Sequence, residues 1–512
     1  MSTAVDEVVE GPETLAELVS VLSASRPAIL LSIDVGTSGV RASLFNESGD
    51  EITGSRVISR RKSNSFSAFG ELNPDLIFDQ LVETIDQLFS NSIHASSQIR
   101  YVSISCFWHS LMGVDASGKP TTPLLTWADT RASQLVAQLR ANFDEGAIHT
   151  RTGSRFHASY WPAKLVWLKT EQPETYQKTS QWLGLSEYLT LRLFGDASVS
   201  VSMASATGLF NQANCDWDWE FVDQLHISRE SMPKITDTTT QAHLRDEYAQ
   251  RWPALNAATL SAVVGDGAAN NIGGGCCNRN RVALMVGTSG AMRLISEGAP
   301  PQELRSELWC YRVDRSRVIV GGALSDGGGL YRWLTDLMSL VDSVELESDL
   351  SRMKPDSHGL TVLPFWSGER STGWSANARG GIFGLTQDAK PAEIVRAALE
   401  GIAYRFALIA RALDTIAPLA NVVATGNALR SSPTWLQILS DVLGRPLMYG
   451  GSPEASIRGA ALLALESVGK IASIEDVTVA VDAVFEPDMD RHAVYQRALA
   501  RQEDLYQRLI GN

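Results

Sequence analysis

The chain has 512 residues, more than one hydrophobic core normally supports, so we expect two domains. Its formal net charge of −14 excludes nucleic acid and an anionic membrane surface as main partners. Five cysteines without a CxxC pair are typical of reduced thiols in a cytoplasmic protein, and no apolar run approaches the length of a transmembrane helix.

Helical and strand-like patterns alternate along most of the chain. The first segment, 1–27, is an acidic extension with apolar residues at helical spacing, and we assign it no chemistry. Strands are predicted at 29–58, 100–106, 282–321 and 421–425. Helices are predicted at 74–92, 129–142, 184–194, 327–342, 391–416, 433–443 and 455–467. Alternation on this scale predicts an α/β fold.

One pentapeptide, Val-Gly-Thr-Ser-Gly, occurs at 35–39 and again at 286–290, each time where one strand-like run turns into another. Each copy predicts a hairpin, and each leads into a strand that carries an arginine, Arg41 or Arg293. Glycine lets a backbone approach a ligand closely, while successive amide hydrogens and hydroxyls offer donors to an anion. One copy alone would be interpreted as an ordinary turn. Two copies favour a clamp that grips one polyphosphate from two sides.

Two other features bear on phosphate binding. Arg60, Arg61 and Lys62 form a basic cluster between a strand pattern and a helix pattern, and we interpret this cluster as a solvated loop. The sequence contains no GxxxxGK[ST] motif, which excludes a Walker-type phosphate loop as the nucleotide site.

Two aspartates follow strand-like runs. Asp266 lies between Gly265 and Gly267, and a carboxylate flanked by glycines can approach a substrate hydroxyl without obstruction, as a general base must. The structural alternative is that Asp266 caps the small-residue helix that follows, a role that is also compatible with that of a base. Asp34 ends a buried strand, where an unpaired carboxylate is costly, so either Mg²⁺ carried by a nucleotide or Arg41 alone should compensate it.

The segment after the strand at 100–106 offers polar and aromatic groups for a small polar ligand. Trp127, Asp129 and Arg131 supply a stacking surface, an acceptor for hydroxyls and a bidentate cation. Each also has a structural explanation: a core tryptophan, a charge at a helix N-terminus and a surface ion pair, respectively.

Together these separated motifs resemble those of the FGGY carbohydrate kinases, members of the sugar kinase, heat-shock ATPase and actin-like superfamily. The resemblance covers nearly the whole chain after about residue 28. The family's first hairpin reads Asp-x-Gly-Thr-(Thr/Ser)-x-x-(Arg/Lys), and its second contains Gly-Thr-Ser. These two patterns are filled by Asp34, Gly36, Thr37, Ser38 and Arg41, and by Gly287, Thr288 and Ser289.

The resemblance implies two actin-like, ribonuclease H-like domains that flank a catalytic cleft. The FGGY N-terminal sugar-binding domain would cover 28–265, and the FGGY C-terminal nucleotide-binding domain would cover 266–512. Both hairpins would bind the phosphates of ATP. Asp266 would accept the proton from the hydroxyl being phosphorylated, and Asp34 would hold Mg²⁺ through water.

Two ligand subsites are also implied by the resemblance. The adenosine motif, Gly-Gly-Gly-Ala followed by Ser-x-x-Trp-x-Gln, corresponds to 425–437, although Thr425 and Asn427 stand at glycine positions. The implied adenosine contacts are Gly426, Asn427, Ala428, Trp435 and Gln437. The implied substrate contacts are Trp108, His109, Trp127, Asp129, Arg131 and Asp266.

Within the family, Trp-Ala-Asp-Thr-Arg at 127–131, His109-Ser110 and the stretch 363–374 resemble gluconokinases more than xylulose or glycerol kinases. A sugar-acid carboxylate requires nearby cations. The candidate cations are Arg131, Lys164, Arg155 and His157.

The sequence therefore predicts an ATP-dependent sugar kinase that uses Mg²⁺ and phosphorylates a terminal hydroxyl of an open-chain sugar or sugar acid, with D-gluconate as first choice. The alternatives are a pentulose kinase acting on xylulose or ribulose, and a non-catalytic actin-like sugar or nucleotide sensor. The expected partners are the sugar and ATP, with no nucleic acid and no membrane. A homodimer is kept open, since the sequence does not determine the oligomeric state.

Overall fold

The computed structural model describes residues 29–61, 70–91, 99–236, 243–340, 344–450, 454–476 and 481–511. The predicted extension, 1–27, lies outside the described residues, and so does Lys62 of the basic cluster. Within these ranges, every helix is too short or too polar to cross a lipid bilayer.

The first half of the chain alternates short strands and helices. Its strands are β1 (Leu30–Gly36), β2 (Gly39–Phe45), β3 (Val57–Arg60), β4 (Glu71–Leu72), β5 (Tyr101–Cys106), β6 (Met112–Val114), β7 (Leu124–Leu125), β8 (Gln181–Leu183), β9 (Val199–Ser200), β10 (Phe210–Asn211), β11 (Asp216–Trp217), β12 (Ile235–Thr236), β13 (Thr259–Leu260) and β14 (Val264–Gly265). Its helices are α1 (Pro74–Asn91), α2 (Ser133–Asn142), α3 (Glu145–Thr152), α4 (Trp161–Glu171), α5 (Pro173–Lys178), α6 (Leu185–Phe194), α7 (Val201–Ser205), α8 (Trp219–Gln224), α9 (Asp246–Arg251) and α10 (Asp266–Gly273).

The second half has longer strands and helices. Its strands are β15 (Arg281–Val286), β16 (Gly290–Glu297), β17 (Trp309–Arg312), β18 (Arg317–Leu324), β19 (Thr361–Leu363), β20 (Gly381–Phe383), β21 (Asn421–Thr425), β22 (Leu447–Gly450) and β23 (Val481–Phe485). Its helices are α11 (Gly328–Leu337), α12 (Val344–Arg352), α13 (Pro391–Asp414), α14 (Pro433–Leu443), α15 (Ala455–Ser467) and α16 (Met489–Leu509).

Each half is built around one large sheet, and the two sheets repeat the same order. In the described chain the first sheet runs β13-β5-β1-β2-β3, with β14 also paired to β5, and the second runs β17-β18-β16-β15-β21-β22-β23. Each contains an antiparallel hairpin, flanked by a further antiparallel strand on one side and by parallel strands on the other. The prediction of an α/β fold with two related halves is confirmed. The domain limits at 27/28 and 265/266 stay predictions.

The central strands are buried because they are covered on both faces. In β1 every residue from Leu30 to Val35 is buried, as expected for a strand in the middle of a mixed sheet. The core of the first half continues into the second through Trp309, Tyr311 and Trp374. The two halves are therefore joined by shared apolar packing as well as by the chain.

Helix α15 belongs to the second half in sequence but packs on the first sheet and on α10. Ser32 Oγ donates a hydrogen bond to the carbonyl of Ile457 at 2.7 Å. A Cβ atom at Gly273 or at Gly459 would overlap the backbone of the opposite helix. The small residues of α15 thus allow two helices to cross closely, and this crossing fixes α10, whose first residue is Asp266.

Most predicted elements agree with the structure, and the boundaries differ where side chains form turns. The strand at 421–425 and the helices at 433–443 and 455–467 are observed with the predicted bounds. The helix predicted from 129 begins at Ser133 instead. Here the carboxylate of Asp129 accepts a hydrogen bond from the amide of Arg131, and such a side-chain turn competes with the first turn of a helix.

Candidate active site

The two hairpins face a cavity of about 200 Å³ that both halves line. Thr37 comes from the tip of the first hairpin, Ser289 and Gly290 come from the second, and Asp266 lies between them at the start of α10. The remaining lining residues are mostly aromatic or basic: Phe107, Trp108, His109, Trp127, His157, Ser159, Tyr160, Met285, Ala291, Arg293, Trp309, Tyr311, Ala323, Arg370 and Trp374. The cavity thus joins both predicted phosphate hairpins to the predicted base.

Asp266 has the environment of a carboxylate that can hold a proton. Burial raises its pKa, and the charge of Arg293 and a 2.8 Å hydrogen bond from the amide of Gly267 counteract this only in part. The N-cap position of α10 is Gly265, so the alternative that Asp266 itself caps the helix is wrong. A raised pKa suits a general base that works near neutral pH.

The glycines around Asp266 have a purpose that was not predicted. A Cβ atom at Gly265 or at Gly267 would overlap the indole of Trp108. The Trp108 indole N–H donates to the carbonyl of Ser202 at 3.1 Å, which fixes the ring. The glycines therefore make room for Trp108, which forms the wall of the cavity beside Asp266.

Asp34 is buried beneath the tip of the first hairpin. Its carboxylate accepts hydrogen bonds from Ser105 Oγ at 2.9 Å and from Arg41 Nη1 at 3.2 Å. Burial nevertheless raises the pKa of Asp34 to about 6, since Arg41 compensates only part of the desolvation and Asp266 and Glu454 add negative charge nearby. Arg41 also forms an ion pair with Glu454 at 2.5 Å. Both predicted partners of Asp34 are therefore compatible with the structure. Arg41 contacts the carboxylate, and Mg²⁺ would still be favoured because Arg41 offsets only part of the cost of burial.

Arg61 holds the tip of the first hairpin. Its Nη1 donates to the carbonyls of Gly36 and Thr37 at 3.0 and 2.7 Å, and its backbone amide donates to the carbonyl of Ser38 at 2.8 Å. The interpretation of the basic cluster as a solvated loop is therefore wrong for Arg61. Arg60, the last residue of β3, is exposed as expected.

The second hairpin is held by a helix N-terminus instead. The amides of Gly327 and Gly329 donate to the carbonyl of Thr288 at 3.1 and 2.9 Å, and the amide of Gly328 donates to Gly287 at 2.8 Å. Side chains at these glycines would collide with the hairpin. This contact was not anticipated, although the Gly327–Gly329 triplet is visible in the sequence.

The predicted adenosine residues separate into two groups. The amide of Ala428 donates to the carbonyl of Val286, at the base of the second hairpin, and Gly426 packs against the same residue. Asn427 beside them is exposed. In contrast, Trp435 is 1% exposed and lies in the core of the second half.

Gln437 is also engaged by the protein. Its side-chain amide donates to Asp441 and to the carbonyl of Glu486, each at 2.8 Å. Trp435 and Gln437 thus stabilise α14 in this structure. Gly426, Asn427 and Ala428 are the members of the adenosine set that adjoin a phosphate hairpin.

The predicted sugar residues also separate. Trp108, His109 and Trp127 line the cavity. Asp129 and Arg131 do not: the Arg131 guanidinium binds the carboxylate of Asp129 at 2.6 Å and that of Glu71 at 2.5 Å. Two carboxylates thus neutralise Arg131 outside the cavity. Sugar binding by Asp129 and Arg131 stays a prediction that this arrangement does not support.

The other predicted cations are engaged elsewhere or carry no charge. Arg155 pairs with Glu145 at 2.7 Å. Lys164 donates to the carbonyl of His109 at 2.6 Å, and burial lowers its pKa to about 7. Burial also lowers the pKa of His157 to about 3, so His157 is neutral.

The cavity has two cations that sequence reasoning missed. Arg293 Nε and Nη1 and Arg370 Nε are buried, and none of the three atoms has a hydrogen-bond partner in the described part of the chain. Neither guanidinium forms an ion pair with a described carboxylate. Burial lowers the pKa of Arg293 to about 10, which leaves it charged at neutral pH. Arg293 had a visible signal, since it interrupts the apolar strand 291–295 without an acidic neighbour in that strand.

Two neutral histidines line the same cavity, and they carry the proton on different ring nitrogens. His109 Nδ1 lies 2.7 Å from the carbonyl of Ala206, so it must carry the proton and leave Nε2 as an acceptor. His157 Nδ1 accepts from the amide of Ser159 at 3.2 Å, so its proton is on Nε2. Burial lowers the pKa of His109, like that of His157, to about 3. One ring nitrogen can therefore accept, and the other can donate, a hydrogen bond to a polar ligand.

Comparison with known proteins shows which family the chain matches. Residues 29–273 match the model of the FGGY family of carbohydrate kinases, N-terminal domain, and residues 282–467 match that of the C-terminal domain. The chain is 29% identical to a gluconokinase of Bacillus subtilis (strain 168), over 89% of this chain and 91% of the relative.

Two solved structures from Lactobacillus acidophilus have the same fold. A ligand-bound xylulose kinase superposes with a TM-score of 0.86, and a gluconate kinase with a TM-score of 0.84. Each is 27% identical to this chain, and each comparison covers 94% of this chain and 98% of the other. The two relatives differ in their named substrate but not in their likeness to this chain.

Proposed function

This chain belongs to the FGGY family of carbohydrate kinases and is an ATP-dependent sugar kinase, and we propose that the sugar it phosphorylates is D-gluconate. The observation that carries the proposal is the pair of guanidinium groups, Arg293 and Arg370, that line the cavity beside Asp266 and form no ion pair with a carboxylate of the described residues. Membership of this family replaces the alternative of a non-catalytic sensor.

An anionic substrate follows from the cost of burying those groups. A buried charge without a partner is unfavourable, and a carboxylate is the ligand whose geometry matches a guanidinium fork. A neutral polyol would offer only hydroxyl dipoles to Arg293 and Arg370. A sugar acid would therefore gain more from this cavity than a ketose of similar size.

The remaining lining suits a polyol chain. Trp127 and Trp374 offer apolar faces, and Arg370 lies 5.4 Å from the centre of the Trp127 ring, which orients its guanidinium. His109 Nε2 can accept from one hydroxyl and His157 Nε2 can donate to another. These groups would orient the substrate with its carboxylate toward the arginines and a terminal hydroxyl toward Asp266.

Phosphoryl transfer requires positioning and charge stabilisation more than covalent chemistry by the protein. In our proposal Asp266 accepts the proton of the terminal hydroxyl as that oxygen attacks the γ-phosphorus of ATP. The bond from this phosphorus to the β,γ-bridging oxygen breaks, and ADP leaves. The phosphates lie between the hairpin tips, with Gly36, Thr37, Ser38 and Arg41 on one side and Gly287, Thr288 and Ser289 on the other. Gly426, Asn427 and Ala428 would contact the adenosine next to the second hairpin.

Asp34 fits a role in holding Mg²⁺. Its buried carboxylate is only partly compensated by Arg41, as its raised pKa indicates, and Mg²⁺ favours one or two carboxylates together with phosphates and water. When bound, the ion would neutralise charge on the ATP phosphates. We propose that Asp34 orients it through water and that Ser105, by donating to Asp34, fixes the carboxylate.

Steady-state kinetics with D-gluconate, xylulose, ribulose and glycerol test the substrate. We expect kcat/KM for gluconate to exceed that for each neutral compound by about 10-fold or more, since one lost charged contact costs on that order. A preference for xylulose or ribulose would overturn gluconate and support the pentulose kinase. Family membership and the role of Asp266 would stand in that case.

A further inference from the structure

The peptide units of the two hairpin tips are oriented by different hydrogen-bond donors. In the first, three successive carbonyls, those of Gly36, Thr37 and Ser38, accept hydrogen bonds from Arg61. In the second, the carbonyls of Gly287 and Thr288 accept from the backbone amides that begin α11. In both tips the carbonyls therefore point toward a hydrogen-bond donor outside the hairpin.

The direction of these carbonyls decides where the amides point. In a trans peptide unit the C=O and the N–H point in opposite directions. Fixing the carbonyls of Gly36 and Thr37 on Arg61 therefore turns the amides of Thr37 and Ser38 away from Arg61. The same argument turns the amides of Thr288 and Ser289 away from α11. Both hairpins thus present the amides of a Thr-Ser pair, which is the donor arrangement that an anion requires.

Arg61 is itself held in place. Its Nη2 donates to Gln80 Oε1 at 3.0 Å, and Gln80 Nε2 donates to Ser59 Oγ and to the Ser59 carbonyl at 3.0 and 3.1 Å. Burial lowers the pKa of Arg61, and no described carboxylate forms an ion pair with it. Its charge is therefore directed to the hairpin.

We propose that Arg61 is a positioning residue for the nucleotide, which keeps the first hairpin in the conformation that binds the phosphates of ATP. Arg61 does for the first half of the chain what the N-terminus of α11 does for the second. This role rests on the proposed function of the hairpins. Arg61 need not contact ATP, because it acts through the peptide units of Gly36 and Thr37.

The test compares Arg61→Met with Arg60→Met, which removes one positive charge from the adjacent exposed position. We expect Arg61→Met to raise KM for ATP and Kd for MgADP by about 10-fold, the cost of losing one or two hydrogen bonds of a charged group. KM for the sugar should change by less than about 2-fold, since Arg61 does not line the sugar cavity. Arg60→Met should match the wild type in all three constants.

Arg61→Lys keeps the charge but replaces the guanidinium fork with a single ammonium, so it should fall between Arg61→Met and the wild type. If Arg61→Met fails to fold, Arg61→Lys and its MgADP affinity decide the matter. Equal changes in both KM values, or unchanged nucleotide constants in a folded variant, would overturn the positioning role.

A separate variant distinguishes this inference from the proposed phosphate site. If Gly36→Val impairs nucleotide binding while Arg61→Met does not, the hairpin binds phosphate and only the role of Arg61 is wrong. If neither variant affects MgADP binding, the phosphate-binding role of the first hairpin is itself wrong.

Discussion

The two hairpins share one pentapeptide but differ in their pairing and in the charges beneath them. In the first, Gly36 pairs with Gly39, so two residues form the tip. In the second, Val286 pairs with Gly290, so three residues do. Identical local sequence therefore does not ensure identical local structure, because the partners behind each tip, Arg61 in one and α11 in the other, are non-local.

The chemistry beneath the tips differs more. Asp34 pairs across the first hairpin with Arg41, while its sequence counterpart in the second hairpin is Met285, and Arg293 lies opposite Ala283. The first hairpin therefore provides a carboxylate beside a cation. The second provides a cation that forms no ion pair with a described carboxylate and that lines the cavity beside Asp266. Under the proposed function, the first half would therefore hold the metal and the second half would hold the substrate anion.

The largest expected effect comes from Asp266, the group that both hairpins adjoin. Asp266→Asn is nearly isosteric but cannot accept the proton, so we expect kcat to fall about 10²-fold or more, the usual contribution of a general base. Fold and MgATP affinity should persist, as judged by thermal unfolding and MgADP titration. Near-normal turnover would end the assignment of Asp266 as base.

The next effect tests whether the two tips act on the same phosphates. Gly36→Val and Gly287→Val should each lower kcat/KM for ATP by up to about 10²-fold, because displacing a reacting group by about 1 Å can cost that much. A Cβ atom at Gly287 meets nothing closer than 3.5 Å, and at Gly36 only the Arg41 side chain at 3.2 Å, so the fold should tolerate both changes. If one folded variant keeps full activity with ATP, the clamp is one-sided.

A smaller effect concerns the pH dependence of stability. It arises from the buried carboxylate of Asp34, which the second hairpin lacks because Met285 stands at the equivalent position. Burial raises the pKa of Asp34 from 3.8 to about 6, so the folded protein binds a proton near pH 5 that the unfolded chain lacks. The resulting stability is present below pH 4 and is lost as the pH rises through 6. Asp34→Asn should therefore be more stable than the wild type at pH 7 by on the order of 2 kcal/mol, and equal to it at pH 4.

Urea unfolding at pH 4 and pH 7 measures this difference. A variant that is less stable than the wild type at pH 7 would show that the Asp34–Arg41 pair outweighs the cost of burying the carboxylate. In either case Asp34→Asn should lose activity if Asp34 holds Mg²⁺. With the expected gain in stability at pH 7, stability and activity would change in opposite directions.

Local patterns sufficed for much of the fold and for part of the site. The hairpins, the strand 421–425 and the helix 433–443 follow from apolar periodicity, glycine and a proline at the first turn. Asp266 was a candidate base because it lies between glycines after a strand-like run, and the family resemblance favoured that role, which stays a prediction. Each of these signals lies within a few consecutive residues, where local chemistry decides the structure.

Sequence reasoning was least informative where a side chain chooses between distant partners. Arg131 binds Glu71, which is far from it in sequence, so its predicted contact with substrate stays a prediction that the structure does not support. Arg61 was assigned to a solvated loop but binds the first hairpin. Arg293 and Arg370 were missed as ligands because what distinguishes them is that no described carboxylate pairs with either, which appears only once the surrounding residues are in place.

Kinetics of Arg293→Met with gluconate and with a neutral ketose test the central claim. That claim is that Arg293, a cation of the second hairpin without an ion-pair partner among the described residues, selects an anionic sugar. We expect KM for gluconate to rise about 10-fold or more and KM for the ketose to change by less than about 3-fold, since the lost contact is with the carboxylate. Arg279→Met, which removes an exposed charge, should match the wild type. Equal effects on both substrates, or a gluconate-specific effect of Arg131→Met in place of Arg293→Met, would contradict the account.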